Sequence, residues 1–474
     1  MLAAVFLTLV VGCSGSPPTD VSAPDTAVVD GDGDGHTGAD DCDDADASTF
    51  LGAPETCDGV DNDCDRGVDE GIPETATWTG DVGSADFADL CTLGCAVTIT
   101  GDLIVRDPLL TDLGALACVV AVEGDLGVWY AEGLTSLSGL DALVSVGGTV
   151  NVAHDENLTD LSGLDALVSV GGDLLVYDNA ALAAISSLDA LAEVGGGVYI
   201  VQNASLTSLS GLRGLTAVAG SFDLSENPAL TTLSGLGALT WVGGNLNVSD
   251  DPALTTLSGL DALSEVGGDL TLWFDDGLTS LSGLDALVSI GGDLNVSYAL
   301  GLTSLSGLNS VTSIGKDLVV IGDPALASLS GLDALVAVGG GASVSGNDGL
   351  TSLSGLNALA SVGGDLYLRL DERLTSLSGL DALVSVGGEL NIMENAALAS
   401  LSGLETLTST GSLFVFQNPV LSSLRGLAGL RTVDGSITFS GNTMLCDDEI
   451  DWLLSQLVDF EGWVNRAEGD VCPD

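Results

Sequence analysis

Basic residues are almost missing from this sequence: nine Lys and Arg stand against 68 Asp and Glu, a formal net charge of -59 over 474 residues. No cluster of Lys or Arg exists to meet phosphate, which argues against nucleic acid as a partner. The acidity favours cation binding, solubility and export, although an acidic surface is also simply well solvated. Histidine is reduced to His36 and His154, and neither has a recognisable nucleophile partner. No Lys follows a glycine-rich stretch in the phosphate-loop pattern, so neither catalysis nor nucleotide binding is expected. Beyond the N-terminus no apolar run is long enough to cross a bilayer. Cysteine is absent from the long middle of the chain, with nothing between Cys118 and Cys446.

What fills that middle is a repeat. The fourth Leu-type position of a unit such as Leu158–Asn179 falls at Leu113, Leu137, Leu161, Ile185, Leu209, Leu233, Leu257, Leu281, Leu305, Leu329, Leu353, Leu377 and Leu401, every 24 residues, and then at Leu424 after 23. A fixed period in this range marks a solenoid. Gly-Gly breaks the chain, and Asp-Leu-x-Val then alternates as a half-buried strand does. Asn or Asp closes the strand from Asp107 to Asn442, with Ala131 and Ala299 as exceptions; its side chain is expected to bond the bend and to tolerate strained dihedrals. Leucines three apart follow, too interrupted by Ser, Gly and Asp for a helix, and read as short extended pieces and turns. One coil cannot offset the entropy of ordering its own residues, whereas stacked coils sharing hydrogen-bond ladders can.

The predicted fold is therefore all-β, a β-solenoid of about fifteen coils over 101–445, a rod of roughly 70 Å at ~4.8 Å per strand. The Leu-x-x-Leu-x-Gly-Leu-x-x-Leu-x-x-Val-x-Gly-x-Leu-x-Val-x-x-Asn pattern, ending in Met444-Leu445-Cys446 before an amphipathic segment, resembles the receptor L-domain. That resemblance implies the right-handed β-helix; a leucine-rich-repeat horseshoe is the alternative. Residues 72–100 are read as an N-terminal cap, with Trp78, Phe87 and Leu93 covering the first coil. Residues 446–474 are read as a C-terminal cap: a helix from Asp447, acidic in its first turn, with Trp463 packed nearby. Eight cysteines beyond the N-terminal leader suggest disulfides at both ends. Cys446 is expected to pair with Cys472, and Cys91 or Cys95 with Cys118, the rest staying open.

Residues 1–13 read as a signal peptide whose Val10-Val11-Gly12-Cys13 resembles a bacterial lipobox, which implies acylation at Cys13; a plain secretory leader is the alternative. Residues 14–29 read as a flexible linker. The segment 30–71 is the most chemically specific. Asp30-Gly-Asp32-Gly-Asp34-Gly35 spaces carboxylates as calcium loops do, with Asp41 at position 12, and Asp58…Asp61-Asn62-Asp63-Cys64-Asp65-Arg66…Asp69-Glu70 repeats the idea. The whole resembles the MopE-like metal-binding motif and thrombospondin type 3 calcium repeats. Leu51 stands where that family tends to have proline, and Arg66 replaces a usual glycine, which should make the second loop the weaker site. The candidate ligands are Asp30, Asp32, Asp34, His36, Asp41, Asp43, Asp58, Asp61, Asp63, Asp65, Asp69 and Glu70. Hard oxygen donors select calcium, and folding should depend on it. An acidic disordered linker is the bland alternative.

Repeat positions that vary are the outward strand positions and the residue after them. They hold Trp129, Tyr130, Tyr177, Tyr199, Trp273, Phe274, Tyr298, Tyr367, Phe414 and Phe416, which stacking should align on one face. Exposed aromatics on a rigid sheet suit a protein or glycan; unselected drift toward β-formers would give the same residues. The sequence thus points to a monomeric, lipid-anchored protein of the bacterial cell envelope, outer-membrane or extracellular, with a calcium-binding stalk and a recognition scaffold. A ligand-free envelope spacer and a polysaccharide-active β-helix enzyme are the alternatives.

Overall fold

The computed structural model describes residues 30–466, apart from 38, 39, 44, 56, 58 and 59. The expectations for the leader, Cys13, the linker, Asp58 and Cys472 fall outside the described residues. The chain divides into two compact units, Met1–Ile72 and Pro73–Asp474.

In the larger unit every 24-residue step becomes one turn of an all-parallel β-solenoid of about 16 turns, slightly more than the repeat count suggests. A typical coil carries a two-residue strand, such as Trp241–Val242, and a four-residue strand, such as Leu246–Ser249. Each pairs in register with its equivalent one coil on, Trp241 with Glu265 and Leu246 with Leu270. Two ladders result, a narrow sheet and a broad one, because a constant period places every position over its own copy. The stack begins before residue 101: Ala76–Trp78 already pairs with Val97–Ile99. At the other end it runs past residue 446, since Val464–Arg466 adds a rung beside Ile437–Phe439.

Seven side chains per coil point inward. Leu254, Leu257, Leu260, Leu263, Val266, Leu270 and Leu272 are all at most 1% exposed. The leucine stretch is a run of tight turns: the Leu260 N–H donates to the Leu257 carbonyl and Leu263 to Leu260, at 3.1 and 2.9 Å. Gly259 sits there at φ +119°, and a Cβ on it would collide with the Leu233 carbonyl of the coil before, so this column needs glycine. Glycine is required at the bend for a different reason, close stacking: a Cβ on Gly171 would strike the Gly147 carbonyl. The 23-residue step from Leu401 to Leu424 is a residue lost at this bend, absorbed by a register shift that pairs Val386 with Thr410 and Glu389 with Ser412.

A buried column of Asn and Asp follows the broad strands. The backbone N–H of each donates to the Oδ1 one coil on: Asn179 to Asn203, Asn203 to Asn227 and Asn227 to Asp251, at 3.2, 3.1 and 2.7 Å. The column restarts at Ala299, whose N–H reaches Asp323 at 2.7 Å, and ends at Asn442. Here the sequence reading needs correction. Positive φ falls on the residue before the Asx, as at His154, Asp178, Glu226 and Phe274 (φ 54–57°). That residue turns the chain so that the next side chain enters the interior, and the Asx is therefore fully buried rather than strained at the surface.

The ends are closed differently. Helix α1 (Phe87–Leu90) buries Phe87 and Leu90 over the first coils, beside a Cys91–Cys118 disulfide; Leu93, expected in that lid, is 37% exposed. Helix α2 (Asp447–Gln456) carries three acids in its first turn and buries Ile450 and Leu453. Glu449 accepts from the Leu424 N–H and the Arg425 Nε, both at 2.9 Å, and the Arg425 guanidinium lies over Trp452. Cys446 is disulfide-bonded. Trp463 does not pack in this cap: it is 82% exposed, because the last rung turns it outward. No helix among the described residues is long and apolar enough to cross a membrane.

Candidate metal centre and recognition face

The smaller unit has almost no apolar interior. Ala53 is its one buried hydrophobic residue among those described, with Thr49 and Asn62 buried beside it. What organises it is a Cys42–Cys64 disulfide, stacking of His36 on Phe50 at 4.1 Å, and two acidic loops.

In the first loop the backbone wraps around its own carboxylates. Gly33 and Gly35 N–H donate to Asp30 Oδ1 and Oδ2 at 2.6 and 3.2 Å, Asp34 N–H to Asp32, and His36 N–H to Asp34. Oxygens of Asp30, Asp32 and Asp34 gather within 4.8 Å of one another. Asp32 Oδ2 and Asp34 Oδ2 are buried without a hydrogen-bond partner. Converging anionic oxygens with unused lone pairs are unfavourable alone and are what a hard cation needs.

The second loop repeats this wrapping. Asp65 and Arg66 N–H donate to the two oxygens of Asp61 at 3.1 and 2.7 Å, and Gly67 N–H to Asp65 at 2.8 Å. Arg66 takes φ +86°, close to the +95° of Gly35 at the matching place, so an L side chain bears a conformation suited to glycine. Two overlapping groups form, Glu55–Asp61–Asp63 and Asp63–Asp65–Glu70. For Glu70 a backbone hydrogen bond acts downward, but Asp65 and Glu55, together with slight burial, outweigh it and raise its pKa.

Glu55 is the candidate ligand that sequence reasoning missed. It lies ahead of the Asp-x-Asp-x-Asp count, yet its carboxylate accepts from Asp63 and Asp69 N–H, both at 2.8 Å, and clamps the loop from outside. Of the other predicted ligands, His36 is engaged with Phe50, Asp41 bridges to Phe50, Asp43 accepts from the Ala45 N–H and Asp69 serves through its backbone. None of these four belongs to a converging group of carboxylates among the described residues. Cys42 and Cys64 are bonded to each other and Cys57 is also in a disulfide, leaving carboxylates as the donors.

Residues 41–70 match a metal-binding family. Its model, Cu-binding MopE, is described as "Putative metal-binding motif", and the match covers the second loop together with Glu55. No curated protein matches the chain. Among solved structures, one titled "Crystal structure of TLR13-ssRNA13 complex" aligns over 78% of this chain and 91% of its own at 14% identity, with a TM-score of 0.17, too low to support any argument. The chain therefore carries a metal-binding motif on a disulfide-linked module, and a β-solenoid beside it in sequence.

On the solenoid the predicted aromatics fall into two clusters, one stacked pair and three single residues. Trp273, Phe274 and Tyr298 form one, with ring centres 4.8 and 5.1 Å apart and each ring 41–43% exposed. Tyr130 stacks on His154, which meets Tyr177 edge-on, with Arg106 over Tyr130 and Asp178 on the imidazole at 2.7 Å. Phe414 and Phe416 stack on one strand. Trp129 and Tyr199 lie across the bare backbone of Gly127 and Gly197, and the Tyr367 hydroxyl donates to Asp365 at 3.0 Å; local packing accounts for these three. The positive φ of Phe274 and Tyr298 is a property of the coil, since Gln202 and Leu370 share it. A second surface was overlooked. A groove of about 640 Å³ crosses the narrow sheet from Ala121 to Trp241, over Gly147, Gly171 and Gly195. Its signal was available as the small residues of the bend recurring with the period.

Proposed function

We propose that this is an exported, lipid-anchored protein of the bacterial cell envelope. In this reading a calcium-loaded N-terminal module carries a non-catalytic β-solenoid that recognises a protein or a glycan. The observation that carries the recognition reading is the Trp273–Phe274–Tyr298 cluster: three adjacent, solvent-facing rings on a scaffold whose core is otherwise fully closed. Such a patch is the anchoring chemistry of interfaces and sugar platforms. Calcium rests on donor type. Glu55, Asp61, Asp63, Asp65 and Glu70 in one loop, and Asp30, Asp32 and Asp34 in the other, would supply hard oxygens, whereas copper favours imidazole or thiolate. The ion would neutralise the clustered carboxylates and fix the loops.

The test is capture of envelope proteins and an array of glycans on the full chain and on Trp273→Ala/Phe274→Ala. Enrichment lost at least tenfold in the variant is expected. Equal capture by both would remove the recognition face and leave the alternative reading, a structural spacer, which the extreme regularity of the coils favours.

A further inference from the structure

The buried Asx column contains two kinds of residue, and only one has its hydrogen bonds complete. Each of the asparagines Asn179, Asn203, Asn227, Asn347, Asn395, Asn418 and Asn442 uses Oδ1 to accept a backbone N–H. Each also uses Nδ2 to donate to a strand carbonyl of an earlier coil: Asn227 to Ile200 at 3.0 Å, Asn347 to Val320 at 3.0 Å, Asn442 to Val415 at 2.8 Å. Asp155, Asp251, Asp275, Asp323 and Asp371 occupy the same place and are likewise fully buried. Their Oδ1 accepts the same N–H, as from Ala131, Asn227 and Asn347 at 2.7, 2.7 and 2.8 Å. In all five the other oxygen, Oδ2, is buried with no partner. By the 27-residue offset of the asparagine bonds, the carbonyl in line with it is that of Leu224 for Asp251 and of Val296 for Asp323, and a carboxylate oxygen has no proton to offer a carbonyl oxygen.

We propose that these five aspartates are held as neutral acids, each donating an Oδ2–H to the carbonyl that asparagine would serve, so that the solenoid is braced by protons and loosens as the medium turns alkaline. The charge environment agrees. Burial dominates in every case. It lifts Asp251 to about 8 against the Asn227 N–H and side-chain amide, with Asp275 and Asp250 adding to the rise. It lifts Asp275 to about 7 against the Asp251 N–H, with Asp250 and Asp276 adding. Asp323 rises to about 7 against the Ala299 N–H, and Asp371 to about 7 against Asn347, with Asp348 adding. Asp155 reaches about 6, restrained by the Ala131 N–H and by His154 beside it. A folded-state pKa above the unfolded value near 4 means that the folded chain holds the proton more tightly. The stabilisation is therefore complete below about pH 4 and is lost as pH rises through about 6 to 8. Ordinary acid denaturation runs the other way.

The experiment is thermal melting of the full chain, calcium in excess, between about pH 5 and pH 9, for wild type and Asp251→Asn/Asp275→Asn. Wild-type Tm should fall by several degrees across that range, and the double variant should lose much of the slope, gaining most at the alkaline end. Infrared spectra at about pH 6 should show a protonated-carboxyl band, when surface acids are ionised, that weakens in the variant. A variant whose Tm runs parallel to wild type at every pH, a variant that fails to fold although asparagine fills seven sister positions, or the absence of the protonated band would each overturn the proposal.

Discussion

The two units of this chain solve the problem of holding a backbone in place by opposite means. Residues 73–466 bury about seven apolar side chains per coil and share hydrogen bonds between copies of one unit. Residues 30–72 bury a single described alanine and gather carboxylates instead. In the solenoid, order comes from repetition: no coil is stable alone, and each lends its neighbour a template. In the module a cross-link is in place and the rest of the order would come from a bound cation, since like charges within 4.8 Å of one another oppose folding until they are compensated. The units should answer pH in opposite senses as well, the module needing ionised carboxylates and the solenoid's buried column needing protonated ones.

The sharpest way to break the comparison is to remove metal. Excess chelator is expected to unfold 30–72 while leaving the solenoid's β circular dichroism intact, read by amide hydrogen exchange resolved along the chain. Protection lost in both units together, or in neither, would contradict a metal-dependent module beside a metal-independent one. Next in size is the core. Leu257→Ala removes a side chain that is 0% exposed and should cost about 2–5 kcal/mol. Denaturant melts should shift for the solenoid, with calcium titration of the module unchanged. Smallest is Arg66→Gly, which relieves a φ of +86°. Metal affinity of the second loop should rise a few-fold, corresponding to about 0.4–1 kcal/mol at 1.4 kcal/mol per tenfold, as the positive-φ strain is relieved; isothermal calcium titration that shows weaker binding would mean that the Arg66 side chain assists the loop.

The solenoid was legible because periodicity in a sequence is periodicity in space. Leu257 and its copies had to be inside once the step was fixed, and the in-register sheets followed. The groove beside Trp241 was less visible, because glycines placed for stacking also hollow the surface. The buried column was misread in its geometry, since whether Asp251 faces inward depends on the left-handed residue before it, and Asp250 carries no mark of that conformation. In the module the Asp-x-Asp-x-Asp spacing exposed the loop ligands, but Glu55 comes from outside the loop and only folding brings it to Asp61 and Asp63. Predicted ligands that follow simple counting, Asp41 and Asp43 among them, are turned to local backbone contacts instead.

The in-register match of Leu246 with Leu270, repeated from rung to rung, has a consequence for heredity. Any coil presents the same two faces as any other, so a duplicated or deleted 24-residue block would rejoin without a seam and leave both end caps in place. Gain or loss of such blocks would lengthen or shorten the solenoid in increments of ~4.8 Å, with no new surface to invent.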